Sequence, residues 1–279
     1  MRKFFLTGWL VGLLLACSNK VQQENILTVT IEPQRYFVEQ LADSLFCVEC
    51  MVPAGTSPET YDPTPAQMAK LARSKAYFCI GHIGFEEVWL DKLKQNYPKI
   101  PFFDNSQGIS LITSEHAHEG GIDPHTWNSP KAVRRIVQNM YAALVTIDPE
   151  NESRYAVNLQ HLLEQVNVID DSITRLLQNS SQKAFIIYHP ALTYFARDYG
   201  LTQYSIEADG KEPSPEQLKT LMETAKEKGI KIVFVQQEFD QKNAESVAKQ
   251  IGCRLIVINP LSYDWGKEML HIAQALSDE

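Results

Sequence analysis

The sequence lacks basic clusters, and beyond its first residues it lacks long apolar runs. No run of Lys and Arg follows Lys3, and the formal net charge at pH 7 is -8. This charge argues against nucleic acid, anionic lipid surfaces and acidic substrates as partners, so a cation is the more natural ligand. No stretch after the N-terminal segment approaches the roughly 18 apolar residues that a membrane-spanning helix requires. We therefore expect the bulk of the chain to be a soluble body.

The N-terminal segment, residues 1–17, has the order of parts that an export signal requires. Arg2 and Lys3 give a positive start, and the apolar run 4–16 is too short to span a bilayer as a helix. The run ends in LLAC, which resembles the lipobox of bacterial lipoproteins, where the cysteine is lipidated and becomes the mature N-terminus. An ordinary secretory signal is the alternative. We expect lipidation at Cys17 and an envelope protein that faces the periplasm or the exterior.

Cysteine is scarce, with five residues in a chain of 279. Cys47 and Cys50 form a C-x-x-C motif, which occurs in zinc sites and redox centres. The motif lies in a β-like run without a second C-x-x-C, and residues i and i+3 of a strand face opposite sides. We interpret these two residues as buried strand cysteines and assign them no chemistry. With Cys79 and Cys253 they allow three complete disulfide pairings in an exported protein, and the sequence does not choose among them.

Apolar β-rich runs alternate with helix-period segments, which predicts βα units around mainly parallel sheets. We expect two α/β lobes, each with a mainly parallel four-stranded sheet flanked by helices. The predicted divisions are a linker at 18–25, an N-terminal lobe at 26–148, a linking helix at 149–179 and a C-terminal lobe at 180–279. The strands of the first lobe read ILTVTI, FCVECMVP, KAYFCIG and PFFDN, and those of the second read AFIIYH, TQYSIE, IKIVFVQQ and RLIVIN.

The linking segment carries the most regular pattern in the chain. Its apolar residues recur at spacings of four and three, which places them on one stripe of a long helix of about 45 Å. A coiled coil is the competing interpretation, but the stripe is single and the polar face lacks a clear charge code. We expect a rigid helix packed by one face across both lobes. The residues of the stripe are Tyr155, Leu159, Leu162, Val166, Ile169, Ile173 and Leu176.

Four candidate metal donors lie in loops at the carboxyl ends of predicted strands, where α/β domains place their ligands. Glu59 and His125 follow strands of the first lobe, and His189 and Asn259 follow strands of the second. Each has a purely structural explanation: a cap for the helix near Pro65, a satisfied loop histidine, a core histidine and a turn, respectively. Two donors on each lobe, at equivalent sheet edges of an acidic exported protein, favour metal ligation.

Several motifs occur around these residues in a fixed order. They are P-x-G-x-S-P-x-T-Y-x-P-T at 53–64, D-P-H-x-W-x-S-P at 123–130, YH at 188–189 and EPSPEQL at 212–218. Together they resemble the zinc- and manganese-specific solute-binding proteins of bacterial ABC importers, over nearly all of the mature chain. The resemblance implies two α/β lobes joined by a long helix, one metal ion between them, an importer permease as partner and no enzymatic activity. We expect a monomer.

The resemblance also implies a ligand set of Glu59, His125, His189 and Asn259. Glu59 stands where His is usual in the family, and Asn259 stands where Asp is common. The usual set of three His and one Asp carries one negative charge, and so does the set of Glu59 with two neutral imidazoles. The resemblance therefore implies that the carboxylate has moved from the second lobe to the first. Asn259 is a poor zinc ligand because its amide is neutral, and Asp264 or water are the alternatives. Two nitrogens and a carboxylate suit Zn²⁺, and Mn²⁺, which favours more oxygen, is the second choice.

The other histidines carry weaker hypotheses. His82 ends a strand on the same edge and is a candidate supporting residue or alternative ligand. His116 and His118 lie on an acidic, Gly-containing loop, where zinc-type relatives often carry a longer His-rich loop; an auxiliary metal contact and a solvated loop are the two interpretations. His161 and His271 lie on predicted helices and are expected to be partly solvated.

Two other functional classes compete with transport. A zinc hydrolase can use two His and one Glu, but the chain has no H-E-x-x-H helix and no second carboxylate clearly placed as a general base. An adhesin or scaffold would not need metal ligands. We therefore expect a binding protein and not an enzyme.

Overall fold

The computed structural model describes residues 25–113, 121–207 and 213–277. Cys17, with the rest of the predicted signal, and the pair His116 and His118 lie outside the described residues. The hypotheses made for them therefore stay predictions. In the part of the chain that is described, no helix is long and apolar enough to cross a membrane.

The N-terminal lobe is built around one parallel sheet. Its strands and helices are β1 (Ile26–Val29), α1 (Glu32–Ala42), β2 (Cys47–Cys50), α2 (Pro65–Leu71), β3 (Ser74–Cys79), α3 (Gly84–Asn96), β4 (Phe102–Asp104) and α4 (Pro130–Ile147). The four strands pair in the order β2-β1-β3-β4, and every pairing is parallel. The carboxyl ends of all four strands therefore lie at one edge of the sheet.

The C-terminal lobe repeats this plan after a long helix. Its elements are α5 (Glu152–Gln178), β5 (Ala184–Ile187), α6 (Thr193–Tyr199), β6 (Thr202–Ser205), α7 (Pro215–Lys228), β7 (Ile232–Gln236), α8 (Gln241–Ile251), β8 (Arg254–Ile258) and α9 (Trp265–Ser277). The strands pair in the order β6-β5-β7-β8, again all parallel. The predicted fold of two four-stranded α/β lobes joined by a long helix is confirmed.

Helix α5 packs against both lobes by its apolar stripe. Buried residues of β1 and β3 and of β5 and β7 belong to the same hydrophobic core as this stripe, so the core is continuous from one lobe to the other. The stripe also contains a buried acid that the apolar pattern did not predict, Asp170. Its two oxygens accept hydrogen bonds at 2.6 Å from Arg134 of α4 and from Tyr199 of α6. Paired in this way, the carboxylate joins three helices without an unsatisfied charge.

The interpretation of Cys47 and Cys50 as buried strand cysteines is right for the strand and wrong for the burial of Cys47. Both lie on β2, an edge strand of the sheet, and Cys47 is exposed whereas Cys50 is half-buried. No strand of the described sheet covers the outer side of β2, so its side chains have fewer neighbours than those of the central strands. None of the cysteines in the described residues forms a disulfide. Burial raises the pKa of the Cys50 and Cys79 thiols, which keeps them protonated and unreactive.

Candidate metal centre

Three of the predicted donors meet at the junction of the two lobes. Glu59 lies in the loop between β2 and α2, His125 lies before α4, and His189 lies just beyond the end of β5. One ligand atom from each residue lies within 4.8 Å of the others. Nε2 of His125 is 4.0 Å from Oε1 of Glu59, and the centroids of the two imidazole rings are 5.3 Å apart. They line a small cavity of about 20 Å³, which is roughly the room that a single water-sized species occupies.

Each imidazole is oriented by a carboxylate on its outer side. Nδ1 of His125 is 2.9 Å from Oδ1 of Asp123, and Nδ1 of His189 is 2.9 Å from Oε1 of Glu207. Both carboxylates are buried. With Nδ1 occupied, each ring offers Nε2, and Nε2 of His189 is buried without a hydrogen-bond partner. A carboxylate behind a histidine fixes the ring and raises its basicity, as outer partners do in zinc sites.

Sequence reasoning missed Asp123 and Glu207, although signals for both exist. Asp123 precedes His125 by two residues in the D-P-H motif, and its side chain accepts a hydrogen bond from the His125 backbone N–H at 2.9 Å. Glu207 lies just beyond the end of β6, the strand that pairs with β5. Burial favours the neutral acid, but the charge and hydrogen bonds of His125 hold the pKa of Asp123 below its ordinary value.

The pKa of His125 is shifted in the opposite direction. Burial lowers it, but the carboxylates of Asp123, Glu59 and Glu238 outweigh burial and raise the pKa of His125 above its ordinary value. The imidazole therefore binds a proton readily when no cation is near. An arriving metal ion must displace this proton, which makes binding depend on pH.

Glu59 is held at the N-terminus of α3. Its Oε2 accepts a hydrogen bond from the backbone N–H of Gly84 at 3.2 Å, and its Oε1 is buried without a partner. The alternative role as a cap for the helix near Pro65 is wrong, because Thr64 caps that helix. A carboxylate at a helix N-terminus is stabilised by the N–H groups and the helix dipole. One oxygen is thus fixed to the protein, and the other faces the cavity.

The loop that carries His125 is hydrogen-bonded to the C-terminal lobe. The indole N–H of Trp127 donates to the carbonyl of Pro260 at 2.9 Å, and Trp265 donates to the carbonyl of Trp127 at 2.7 Å. Asn128 and Tyr194 add two further bonds across the junction, to Ala191 and Asp123. The lobes are therefore joined immediately beside the donors.

Asn259 lies near the site but does not line the cavity, whereas its neighbours Pro260 and Leu261 do. Its backbone N–H donates to Glu268 at 2.7 Å, and its Oδ1 is buried without a hydrogen-bond partner. Its role as a ligand therefore stays a prediction. The alternative, Asp264, is exposed.

The other histidines of the described residues lie outside the donor group. His82 has a positive φ of 62° between β3 and α3 and is not part of the cluster. His161 and His271 are exposed on helices, as predicted.

A carboxylate that was not predicted completes the lining of the cavity. Glu238 follows β7 and lies beside His125, His189 and Phe239. Burial raises its pKa, and the two imidazoles oppose this shift. The residues present fit a divalent cation, because two imidazole nitrogens and a carboxylate oxygen face one small cavity and two of these atoms have no hydrogen-bond partner.

Comparisons with known proteins agree with this geometry. A family model described as zinc-uptake complex component A, periplasmic, matches residues 27–278. A metal-binding protein, so named, of Chlamydia trachomatis serovar D is 27% identical over 281 residues and spans 100% of both chains. The high-affinity zinc uptake system protein ZnuA of Bacillus subtilis is 27% identical over 250 residues, 84% of this chain and 78% of its own. A crystal structure of ZnuA superposes with a TM-score of 0.86 at 37% identity, covering 91% of this chain and 98% of the other.

These matches decide between the functional classes. The family and its structural neighbours are solute-binding proteins and not enzymes, so the hydrolase alternative is set aside. The family model covers almost the whole body of the protein, including both lobes and the donors between them. The chain therefore belongs to the zinc-uptake complex component A family, the metal-binding, extracytoplasmic solute-binding proteins of ABC importers.

Proposed function

We propose that the protein captures Zn²⁺ outside the cytoplasm and delivers it to the permease of an ABC importer. Glu59, His125 and His189 are the proposed ligands, and the fourth position, for which the sequence offers Asn259 or water, is a separate question. The observation that carries the proposal is the convergence of three donors from two lobes within 4.8 Å, with both imidazoles oriented by buried carboxylates.

Zinc is preferred over manganese because of the donor types. Imidazole nitrogen suits Zn²⁺, whereas carboxylate, carbonyl and water oxygens suit Mn²⁺. Two neutral imidazoles with one carboxylate are a common zinc set, with a fourth position for another donor. The zinc uptake system protein of Bacillus subtilis supports the same choice. Manganese is the second candidate, and a competition between the two ions distinguishes them.

The protein is proposed to act from a membrane surface as a monomer. Lipid on Cys17 would anchor it, and the residues up to Cys17 would be removed as a signal. The LLAC sequence supports this part of the proposal. Mass spectrometry of the membrane-bound protein tests it: a diacylated N-terminal Cys17 is expected, and a protein released without lipid would contradict it.

Capture is proposed to involve only small movements of the lobes. Helix α5 and the hydrogen bonds of Trp127 join the lobes beside the site. These connections favour ordering of loops and slight tilting of the lobes, and they oppose a wide hinge opening. The ion-loaded form would then dock on the permease through both lobes. Substitution of acidic residues on the cleft face tests the docking step, and uptake that is unaffected by every such change would contradict it.

The decisive experiment is metal analysis of the purified, tag-free protein, followed by competitive zinc titration. We expect one tightly bound zinc per chain in the wild type and loss of tight binding in both His125→Ala and Glu59→Ala. His161→Ala is the matched control, since this histidine is exposed on α5 and should leave binding unchanged. Loss in His125→Ala alone would remove Glu59 from the ligand set. A wild-type protein without tight metal would contradict zinc capture itself.

A further inference from the structure

A second carboxylate of the cavity lies outside the predicted ligand set. Glu238 follows β7, which pairs directly with β5, so it lies at the same sheet edge as His189. Its side chain lines the cavity together with those of Glu59, His125 and His189. The C-terminal lobe therefore offers a carboxylate of its own to the space between the imidazoles.

The chain around Glu238 is tied to the chain around His189. Gln236 donates from Nε2 to the carbonyl of His189 at 2.6 Å and accepts from the His189 backbone N–H at 3.4 Å. On the other side, the Phe239 ring stacks on the His189 ring with centroids 5.5 Å apart. Contacts on both sides fix the position of Glu238 relative to the imidazole. The backbone of Glu238 is thereby held beside the cavity, and the side-chain rotamer decides how far the carboxylate reaches into it.

The Glu238 carboxylate is incompletely satisfied where it lies. Its Oε2 is buried and has no hydrogen-bond partner. Among the described residues, no Lys or Arg forms an ion pair with it. A carboxylate oxygen that is buried without a partner is unfavourable unless a cation shares its surroundings. The free edges of the imidazoles face the same small space, so that cation would also contact the histidines.

We propose that Glu238, and not Asn259, supplies the fourth ligand to the captured ion. The inference rests on the proposed function and deepens it. Glu238 lies outside the group whose ligand atoms are within 4.8 Å of one another, so its side chain must change rotamer to reach the ion. The completed set has two imidazole nitrogens and two carboxylates, one carboxylate from each lobe. Their charge balances that of a divalent cation.

The test compares the purified wild-type chain with Glu238→Gln, Asn259→Ala and the control Glu268→Gln. Glu268 is a suitable control because it is a partly buried glutamate of the same lobe that contacts the Asn259 backbone and does not line the cavity. Zinc affinity is measured by competitive titration, and infrared difference spectra of zinc binding report which carboxylates become ligands. Glu238→Gln should weaken zinc binding by more than the roughly 10- to 100-fold that outer-sphere substitutions cost. The infrared difference spectrum of Glu238→Gln on zinc binding should also lack the carboxylate bands that Glu238 contributes in the wild type.

A stability measurement on the zinc-free proteins separates a ligand from a structural residue. Removing an unpartnered buried charge should leave the melting temperature of zinc-free Glu238→Gln unchanged or higher, while the rise in melting temperature on adding zinc becomes smaller. A lower melting temperature in the zinc-free state with an unchanged affinity would overturn the inference. The inference would also be overturned if Asn259→Ala lost zinc affinity while Glu238→Gln kept it. Absence of tight zinc in the wild type would instead contradict the proposed function on which the inference rests.

Discussion

Gly84 is predicted to be a positioning residue for the proposed metal ligand Glu59. A Cβ atom added at this position would lie 2.6 Å from Oε2, 2.8 Å from the carbonyl oxygen and 3.0 Å from Cα of Glu59. Two of these three atoms belong to the backbone of the metal-binding loop, so a side-chain rotation does not relieve the contact. Gly84→Ala must therefore displace the loop itself or the start of α3. Either movement breaks the hydrogen bond from the Gly84 N–H to the carboxylate.

The size of the effect follows from that hydrogen bond. A hydrogen bond to a charged group contributes about 1.5–3 kcal/mol, and each 1.4 kcal/mol corresponds to about a tenfold change in affinity. Gly84→Ala should therefore weaken zinc binding by roughly 10- to 100-fold. If Gly84 acts only through Glu59, the double variant Gly84→Ala/Glu59→Ala should bind no more weakly than Glu59→Ala alone.

Competitive zinc titration is the assay, with Gly266→Ala as the matched control. The Cβ of Ala at position 266 would meet only the side chain of Ile169, on the face of α9 that packs against α5. Ile169 can move aside, so zinc affinity should be unchanged in the control. A folded Gly84→Ala protein whose zinc affinity lies within about threefold of wild type would refute the positioning argument.

Three further predictions concern the residues around the site. Asp123→Asn and Glu207→Gln should each weaken zinc binding by about 10- to 100-fold while the fold is retained, because the imidazoles lose their orienting charge; titration curves equal to the wild type in both variants would contradict this. Burial raises the pKa of Glu86 to about 7 from an ordinary 4.5, so the folded state holds this proton more tightly than the unfolded state does. The free energy of unfolding should then fall by about 3 kcal/mol as the pH rises between these two values, and Glu86→Gln should remove that component in denaturant titrations at several pH values. Trp127→Phe should cost about 1–3 kcal/mol in the same assay because a buried lobe-to-lobe hydrogen bond is lost, whereas Trp89→Phe, which loses an exposed bond to a loop carboxylate, should cost less; equal costs would argue against the role of Trp127 in joining the lobes.

The sheets and the long helix were predictable because their signals are local and repeated. Strand runs alternate with helix-period segments, and the spacing of four and three residues in α5 describes a stripe without reference to any other part of the chain. The buried Asp170 was not predictable in this way, because its burial depends on Arg134 and Tyr199 from two other helices. Cys47 was misjudged for a related reason. Whether β2 lies at the edge of the sheet is decided by strand order, which the β2 sequence does not contain.

The donors themselves were predictable to different degrees. His189 stands close to the end of β5, where topology places ligands, whereas His125 lies far beyond the end of β4 and was found through its D-P-H motif. Glu59 was ambiguous because a glutamate shortly before a helix is also a natural cap, and the structure shows that Thr64 fills that role. Glu238 was missed because its importance comes from one carboxylate oxygen that is buried without a partner at a cavity lined by two imidazoles. Such a condition belongs to the folded state and leaves no pattern in the sequence.

The position of Glu59 at the start of α3 gives a physical reason for a carboxylate where the family usually has histidine. The N–H of Gly84 and the helix dipole favour a negative group at that point. If Glu238 is the second carboxylate donor, the site does not simply have its one carboxylate on the other lobe. Each lobe then contributes one carboxylate to the site. Both carboxylates line the same cavity, so a divalent cation bound there would be held by a charged group from each lobe. Zinc should therefore stabilise the contact between the lobes itself, which would let the proposed permease partner distinguish loaded protein from empty protein. The rise in melting temperature on zinc binding should accordingly be larger in the wild type than in either Glu59→Gln or Glu238→Gln, and equal rises in all three proteins would contradict the coupling.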